Sequence, residues 1–384
     1  MEMETLTTKK NNLTALQQIC FENNIPFVSF RSPQRNTIKT LLQLKSLPRE
    51  LQTICELNDL SGFIITPFFN KSKNTSFVLE PDIVIDAHQI DRNLLLHLKS
   101  IRHFKTVEYL NGKGIYVTEM NEFISLVREL QDEIRSGNIQ KAVLSRIHVE
   151  PKNTQFDISR LFTELCRKYP NAFVYLFQIP SAGCWIGATP EPLVLIKNHI
   201  VETISLAGTQ KLSEVPPDEI QWPLKEIEEQ EIVTRYIEDV LLNFKVKDFQ
   251  KTGPFSQIAG NLVHLKTKFL FDSDLIGHRL GEFVEMLHPT PSICGSPKAV
   301  SFKILERIEP HQREYYTGLL GPVNMDDETS LYVNLRCMKV LENKFALYLG
   351  AGITSGSVPE SEWDETNQKK MTLLSVIEKL NLIH

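Results

Sequence analysis

The sequence has no apolar run that approaches the ~20 residues needed to span a bilayer, which argues against a membrane protein. Its first residues, 1–12, are polar and lack the apolar segment of a secretory signal. The six cysteines are widely scattered without a CxxC pair, so neither a zinc site nor a disulfide framework is expected. Together these absences predict a soluble protein of the cytosol.

The chain also lacks an excess of positive charge. It has 42 Lys and Arg residues against 47 Asp and Glu residues, a net charge of −5, so neither nucleic acid nor an anionic membrane is an expected partner. No Walker A or G-x-G-x-x-G motif precedes a predicted helix, which argues against a nucleotide cofactor. What is present is ordinary: 42% hydrophobic and 23% charged residues in a chain of 384. That length can bury a large core, either as two domains or as one large unit.

Strand-like runs dominate the chain, with interspersed helical patterns and few regular βαβ units, and this pattern predicts an α+β fold. Residues 1–117 hold short strand-like runs and no motif that suggests chemistry, whereas clear signals begin at Thr118. A turn at 111–114 (NGKG) is the best boundary candidate. We therefore divide the chain into an N-terminal subdomain, 1–117, that is part of the same fold, and a region, 118–384, that carries the candidate functional residues.

Two ionisable residues stand where the local pattern directs them inward. In the predicted strand 139–149, Lys141 shares the parity of Val143 and other apolar residues. The alternative is an edge lysine whose stem packs while its ammonium group reaches water. Glu191 lies between Pro190 and Pro192, which restrict the backbone and hold its carboxylate in a fixed position. The alternative for Glu191 is a turn residue in water.

In two predicted helices, carboxylate residues lie in line with the apolar residues that face the core. In helix 224–244, Glu229 falls on the stripe of Val233 and Tyr236. Its neighbours are expected to be solvated: Glu226, Glu228 and Glu231. A buried carboxylate costs several kcal/mol unless it meets a cation or hydrogen-bond donors, so Glu229 is a candidate metal ligand.

The last helix carries the second set of inward charges. Stepping back from Leu373 by helical spacing gives Lys369, Glu365 and Glu362. A simple helix-stabilising i,i+4 pair of Glu365 and Lys369 is the alternative. A Mg²⁺ ion held by one or two glutamates and a substrate carboxylate would satisfy these acids, since Mg²⁺ prefers oxygen ligands.

Glycines and one arginine suggest contacts with a ligand. The small-residue corner at 206–209 is able to let backbone N–H groups meet an anion, although a plain turn is an equally economical reading. Gly350 and Gly352 end a predicted strand, where the backbone can approach a ligand closely. Arg336 lies on a predicted strand, 331–340, and arginine is the natural bidentate partner of a carboxylate.

Six linked motifs, in order over about residues 118–380, resemble those of the chorismate-utilising enzymes. They are 141–146 (KAVLSR), 187–191 (GATPE), 205–209 (SLAGT), 225–229 (KEIEE), 287–291 (LHPTP) and 350–353 (GAGI) through 362–366 (EWDET). The resemblance implies two large antiparallel sheets packed face to face with helices outside, and a monomer. It also implies chorismate as substrate, Mg²⁺ as cofactor and a variable N-terminal part.

Within that family the resemblance also implies which nucleophile is used. Members that add ammonia tend to have glutamine where Lys141 stands, and aminodeoxychorismate synthases place a lysine where Ala207 lies. Both positions indicate water as nucleophile, so no glutaminase subunit is expected. The favoured activity is isochorismate synthase. A salicylate synthase and a non-catalytic chorismate-binding regulatory subunit are the alternatives, and a menaquinone or a siderophore pathway stays open.

The resemblance assigns a role to each candidate residue. Lys141 would deprotonate the water that attacks C2, and Glu191 would protonate the departing C4 hydroxyl. Mg²⁺ would be held by Glu229, Glu362 and Glu365. The expected substrate-binding residues are Gly208, Thr209, His264, Tyr316, Arg336, Gly350, Gly352 and Lys369.

Overall fold

The computed structural model describes residues 2–68, 75–101, 115–212, 214–259 and 262–382. The turn at 111–114 lies outside these described residues, and the division at 117 stays a prediction. The described helices are α1 (Glu2–Glu22), α2 (Arg92–Ser100), α3 (Met120–Arg135), α4 (Ile158–Lys168), α5 (Leu224–Asn243), α6 (Leu280–Leu287), α7 (Lys298–Ile308) and α8 (Pro359–Asn381). None of them is long and apolar enough to cross a membrane.

The strands of the described residues outnumber the helices. They are β1 (Phe27–Arg31), β2 (Lys39–Leu42), β3 (Arg49–Leu51), β4 (Gly62–Ile65), β5 (Ser76–Leu79), β6 (Ile83–Asp86), β7 (Lys141–Pro151), β8 (Phe173–Ile179), β9 (Gly183–Thr189), β10 (Pro192–Lys197), β11 (Ile200–Lys211), β12 (Gln250–Ala259), β13 (Leu262–Asp272), β14 (Gly295–Ser296), β15 (Leu319–Val323), β16 (Thr329–Val333), β17 (Cys337–Val340) and β18 (Lys344–Ile353).

These strands form two nine-stranded antiparallel sheets. The first sheet has the order β14-β7-β18-β17-β9-β8-β1-β2-β6, and the second has the order β12-β13-β11-β10-β16-β15-β4-β5-β3. The predicted α+β fold with two large antiparallel sheets is confirmed. The strands that precede residue 118 are divided between the sheets, because β1, β2 and β6 join the first and β3, β4 and β5 join the second.

An aromatic layer joins the two sheets face to face. Phe30 of the first sheet lies 5.5 Å, between ring centroids, from Phe63 of the second. Phe173 of the first sheet stacks on Tyr332 of the second at 4.2 Å. These rings belong to one buried cluster that draws on both sheets. Large aromatic side chains contribute most to such a core, so this layer holds the sheets in a fixed relation.

Helices cover the outer faces of the sheets. Residues of α1, α4 and α8 pack on the outer face of the first sheet, and α5 and α6 pack on the second. The sequence of α4 shows why: Leu161 and Leu165 are one turn apart and buried, Asp157 caps the first turn, and Arg167 and Lys168 complement the dipole in the last turn. The result is a four-layer arrangement with the sheets in the middle.

Strand β18 extends beyond the end of its neighbour β17. The last pair between these strands is Cys337 with Tyr348, whereas β18 continues beside β7 as far as Ile353. Residues 349–353 therefore have a free edge on one side. Helix α8 returns along this end of the strand, and α5 packs against β11 and β13 nearby.

Candidate active site

A cavity at the free edge of β18 collects most of the residues that the sequence nominates. The nominated residues that line it are Glu191, Gly208, Thr209, Glu229, His264, Tyr316, Arg336, Gly350, Gly352 and Lys369. The other three, Lys141, Glu362 and Glu365, contact or adjoin this set. The inward direction predicted for these side chains therefore brings them to one place.

Lys141 and Glu229 form an ion pair at one wall of the cavity. Lys141 is fully buried, and its Nζ lies 2.8 Å from Glu229 Oε1. The alternative of an edge lysine reaching water is thus excluded. Gly352 makes this pair possible, because a Cβ at that position would lie 2.4 Å from Glu229 Oε1. The glycine expected to meet a ligand also makes room for a carboxylate of the protein.

Helix α8 contributes a second and a third carboxylate–lysine pair. Lys369 Nζ lies 2.5 Å from Glu365 and donates to the Gly350 carbonyl at 2.9 Å. Lys225, at the start of α5, donates to Glu362 Oε1 at 2.7 Å. Burial, reinforced by the charge of Glu365, raises the pKa of Glu362 to about 7. Burial also opposes ionisation of Glu365, but the neighbouring Lys369 outweighs it and lowers the pKa of Glu365.

The donor set of these acids fits Mg²⁺ only if the substrate completes the coordination. Among the described residues, no three His, Cys, Asp or Glu side chains form a ready-made metal centre. One oxygen of Glu362, Oε2, is nevertheless buried without a hydrogen-bond partner in the described part of the chain. Mg²⁺ is commonly held by one or two carboxylates with waters and substrate oxygens, so Glu229, Glu362 and Glu365 suit such a shared site.

Glu191 also lines the cavity, at the turn between β9 and β10. It is only 6% exposed, so the alternative of a turn residue in water is excluded. Burial raises the pKa of Glu191 to about 7, although the hydrogen bond from Ser292 lowers it in part. The Ser292 hydroxyl donates to Glu191 Oε1 at 2.7 Å. Sequence reasoning missed Ser292, whose position directly after the 287–291 motif was the available signal.

Two unsatisfied groups, His264 and Arg336, also face the cavity. His264 Nδ1 lies 2.9 Å from the Gly208 carbonyl, which requires the proton on Nδ1 and leaves a lone pair on Nε2. Burial lowers the pKa of His264 to about 3, so the ring is neutral. Among the described residues neither His264 Nε2 nor Arg336 Nη1 has a hydrogen-bond partner. Buried polar atoms of this kind are costly, so they indicate a polar ligand.

The small-residue corner differs from its prediction. The Thr209 N–H donates to Glu226 Oε2 at 2.7 Å, so the anion at this corner is a carboxylate of the protein. Gly208 has a φ of +73°, and a Cβ there would lie 3.0 Å from the Glu226 carbonyl oxygen. The expectation of a solvated Glu226 was wrong, because its side chain turns back from the first turn of α5 onto the corner and is 7% exposed.

The free edge of β18 offers backbone donors to the cavity. The Val143 and Ser145 N–H groups bond away from β18, to Cys294 O and Glu309 Oε1. In an antiparallel ladder, two opposite residues either exchange both backbone hydrogen bonds or make neither. Gly352 is opposite Val143 and Gly350 is opposite Ser145, so both glycines direct their N–H groups to the free edge. Tyr316 lies over this edge, since a Cβ on Gly350 would fall 2.7 Å from its Oη.

A buried ion pair behind the cavity holds its walls in place. Arg313 pairs with Glu309 at 2.5 Å and donates to Val143 O at 2.6 Å and Ile293 O at 2.8 Å. Both carbonyl groups belong to residues that line the cavity. Glu309 also accepts from the Ser145 hydroxyl. Sequence reasoning did not identify this pair, because the groups that it binds, at Val143, Ser145 and Ile293, come from separate segments of the chain.

Comparison with known proteins places this site in a family. Residues 74–378 match the family described as "Chorismate binding enzyme". The chain belongs to the chorismate-binding enzymes. The predicted family membership, and with it the prediction that the chain is an enzyme, is confirmed. The match begins at residue 74, within the N-terminal subdomain of our division.

Individual members of the chorismate-binding enzymes show the range of likeness. The isochorismate synthase EntC of Escherichia coli (strain K12) is 27% identical over 287 residues, 72% of this chain and 72% of that protein. Anthranilate synthase component 1 of Acetivibrio thermocellus is 26% identical over 270 residues, 67% of this chain. This chain covers only 53% of that second relative.

A solved structure of a chorismate-binding enzyme shows the same fold. It is the putative 2,3-dihydroxybenzoate-specific isochorismate synthase DhbC of Bacillus anthracis, with a TM-score of 0.74 and 22% identity. The likeness covers 92% of this chain and 96% of that one. At this identity the comparison supports the fold alone.

Proposed function

We propose that this chorismate-binding enzyme is an isochorismate synthase. It would convert chorismate to isochorismate, an isomerisation in which water adds at C2 and the C4 hydroxyl leaves. The observation that carries the proposal is a buried carboxyl group with a raised pKa, Glu191, in the cavity lining, together with a buried lysine, Lys141, in contact with Glu229 of the same lining. EntC, a relative named isochorismate synthase, covers more of the chain than the anthranilate synthase component does.

The unsatisfied groups of the cavity suit a substrate with two carboxylates. Arg336 would donate to one carboxylate from Nη1, which has no partner among the described residues, together with the N–H groups of Gly350 and Gly352. His264 Nε2, an acceptor, would accept a hydrogen bond from a hydroxyl group of the substrate. The second carboxylate would share a Mg²⁺ ion with Glu229, Glu362 and Glu365, and the ion would supply the positive charge that stabilises it.

The two proton-transfer groups then have opposite tasks. In its neutral form, with Glu229 bound to Mg²⁺ instead of to the lysine, Lys141 would accept a proton from the attacking water. Glu191, whose pKa is about 7, retains its proton in a large fraction of molecules at neutral pH and would donate it to the departing hydroxyl. General acid–base partners typically contribute ~10²–10⁴ in rate each. Because the nucleophile is water, we expect no glutaminase subunit, and we keep the prediction of a monomer.

The decisive experiment incubates the purified chain with chorismate and Mg²⁺ and identifies the product by chromatography. Isochorismate without salicylate supports the proposal. Salicylate as the main product would instead make the chain a salicylate synthase, and chorismate binding without conversion would make it a regulatory subunit. Lys141→Ala and Glu191→Ala should abolish turnover while chorismate binding remains. Lys251→Ala, which removes a lysine–glutamate pair at the surface, is the matched control.

The Mg²⁺ site has its own test. Glu229→Gln and Glu365→Gln should each raise the Mg²⁺ concentration that gives half-maximal activity, because each removes a charged oxygen ligand. Glu238→Gln, at the partly exposed partner of Lys251, is the control. A Mg²⁺ requirement that stays at the wild-type level in both variants would remove these residues from the site. Direct Mg²⁺ titration by calorimetry gives a readout that does not depend on turnover.

A further inference from the structure

A second cavity adjoins the active-site cavity and is larger. Its volume is about 450 Å³, within the range of small-molecule sites. Three residues line both cavities: Pro190, Leu206 and Arg336. The second cavity, which we call the vestibule, therefore meets the active site at these side chains. Nothing in the proposed chemistry uses the rest of it.

Strand β13 connects the two cavities along one face. His264 and Lys266 are two residues apart, so their side chains point to the same side of the sheet about 7 Å from each other. His264 lines the active-site cavity, and Lys266 lines the vestibule. Lys266 also lies directly opposite Leu206 of β11. The lysine is thus one step farther out than the histidine on the same path.

Lys266 has an unused positive charge. In the described residues it has no ion pair and no hydrogen bond, because the nearby Glu202 pairs with Lys268 at 2.8 Å. Burial lowers the pKa of Lys266, and the negative charge of Glu202 offsets that lowering only in part. Arg336 lines both cavities, and its Nη1 also lacks a partner in the described part of the chain. A cleft lined by cations without partners concentrates anions within it.

We propose that the vestibule is the path by which the dianionic substrate enters, with Lys266 as its first docking cation and Arg336 as its last. This inference rests on the proposed function, because it takes a substrate with two carboxylates as the cargo. The shared lining favours a path over an independent effector site, since an anion held at Lys266 has Arg336 as its next partner. Ile204, a lining residue on β11 two residues from Leu206, would be passed on the way in.

The test compares three lysine variants by steady-state kinetics. Lys266→Gln removes the docking charge, Lys266→Arg keeps it, and Lys303→Gln makes the same charge change on the exposed face of α7. At low ionic strength Lys266→Gln should lower kcat/KM about threefold to tenfold and leave kcat unchanged. This is part of the increase in association rate that a charged cleft can give. Lys266→Arg should restore kcat/KM, and Lys303→Gln should match the wild type.

Salt supplies the second readout. Raising the ionic strength from ~0.01 M to ~0.15 M shortens the screening length from about 30 Å to about 8 Å. The kcat/KM of the wild type should fall over this range, and that of Lys266→Gln should fall less. A bulky variant, Ile204→Trp, should slow entry equally at both salt concentrations. Thermal unfolding of each variant separates a blocked path from a damaged fold.

Each outcome decides between the path and its alternatives. If the wild type converts chorismate but Lys266→Gln and Lys303→Gln give the same kcat/KM and salt slope, the path is wrong while the proposed function stands. If Lys266→Gln leaves chorismate kinetics intact but abolishes inhibition by an added anion, the vestibule is an effector site and the path is also wrong. If the wild type binds chorismate without conversion, the proposed function fails, and stopped-flow association rates for the same variants then decide the path.

Discussion

Gly352→Ala is the sharpest test of how the active site is built. The added methyl group would lie 2.4 Å from Glu229 Oε1 and 2.9 Å from its Cδ, both far inside ordinary contact distance. Gly356→Ala is a matched control four residues on, because a Cβ there meets nothing within 4 Å. Neither glycine has the positive φ that would penalise alanine, so the comparison isolates the contact. Alanine also retains the backbone N–H that we assign to substrate binding.

The size of the effect follows from the distances. Glu229 Oε1 must retreat from 2.4 Å to at least the 3.4 Å of ordinary contact, a shift of about 1 Å. That shift stretches or breaks its 2.8 Å contact with Lys141. Overpacking of this kind typically costs about 1–3 kcal/mol. A displacement of about 1 Å in a catalytic arrangement can cost ~10²-fold in rate, so we expect that order of loss in kcat/KM.

The assay measures kcat, KM and the Mg²⁺ requirement of both variants, with urea unfolding as the measure of stability. Gly352→Ala should lose activity and require more Mg²⁺, whereas Gly356→Ala should match the wild type within about twofold. If Gly352→Ala keeps wild-type turnover and Mg²⁺ dependence, Glu229 is not fixed by this contact and our account of the site is wrong. If both variants fail alike, the loss comes from the backbone of the loop before α8.

Three further predictions concern pH and stability. In the wild type, kcat should fall as the pH rises through about 7, because burial raises the pKa of Glu191 to that value and only the protonated carboxyl group can donate. The Glu191→Gln variant should lower kcat by ~10²–10⁴ and should no longer show this fall of kcat with pH. Ser292→Ala removes a hydrogen bond that lowers the pKa of Glu191, so the same limb should move to higher pH, and an unmoved limb would refute the link. Arg313→Met leaves Glu309 buried without its cation and should lower the free energy of unfolding, measured in urea, by about 3–5 kcal/mol. The control Arg307→Met removes partly exposed ion pairs and should lower it by at most about 1 kcal/mol. Equal losses in the two variants would contradict this account.

Local periodicity was sufficient to find the inward charges of the site. Strand parity directs Lys141 to the apolar side, and helical spacing puts Glu229 and Glu365 at the edge of a buried stripe. These are properties of a few neighbouring residues, so they can be read without knowledge of the rest of the fold. The structure places all three at or beside one cavity.

Contacts between distant segments could not be read in this way. Glu226 was expected in water, but the Thr209 N–H on β11 draws its carboxylate inward. The predicted strand 331–340 is two strands in different sheets, β16 and β17, and the crossing leaves Arg336 with a φ of +48°. No glycine or proline marks that crossing, so strand parity gave no valid direction for Arg336. Its place in the cavity comes from the change of sheet.

The division of the first strands between the sheets has a consequence for any shortened form of the protein. Strand β1 lies between β8 and β2, and β4 lies between β15 and β5. Without residues 1–117, β8 and β15 would each become an edge strand with unpaired backbone N–H and C=O groups exposed to solvent. Phe173 would also lose its contacts with the rings of Phe30 and Phe63. Such edges recruit other chains. A fragment that begins at 118 would therefore self-associate instead of acting as a minimal enzyme, although it contains every residue nominated for catalysis.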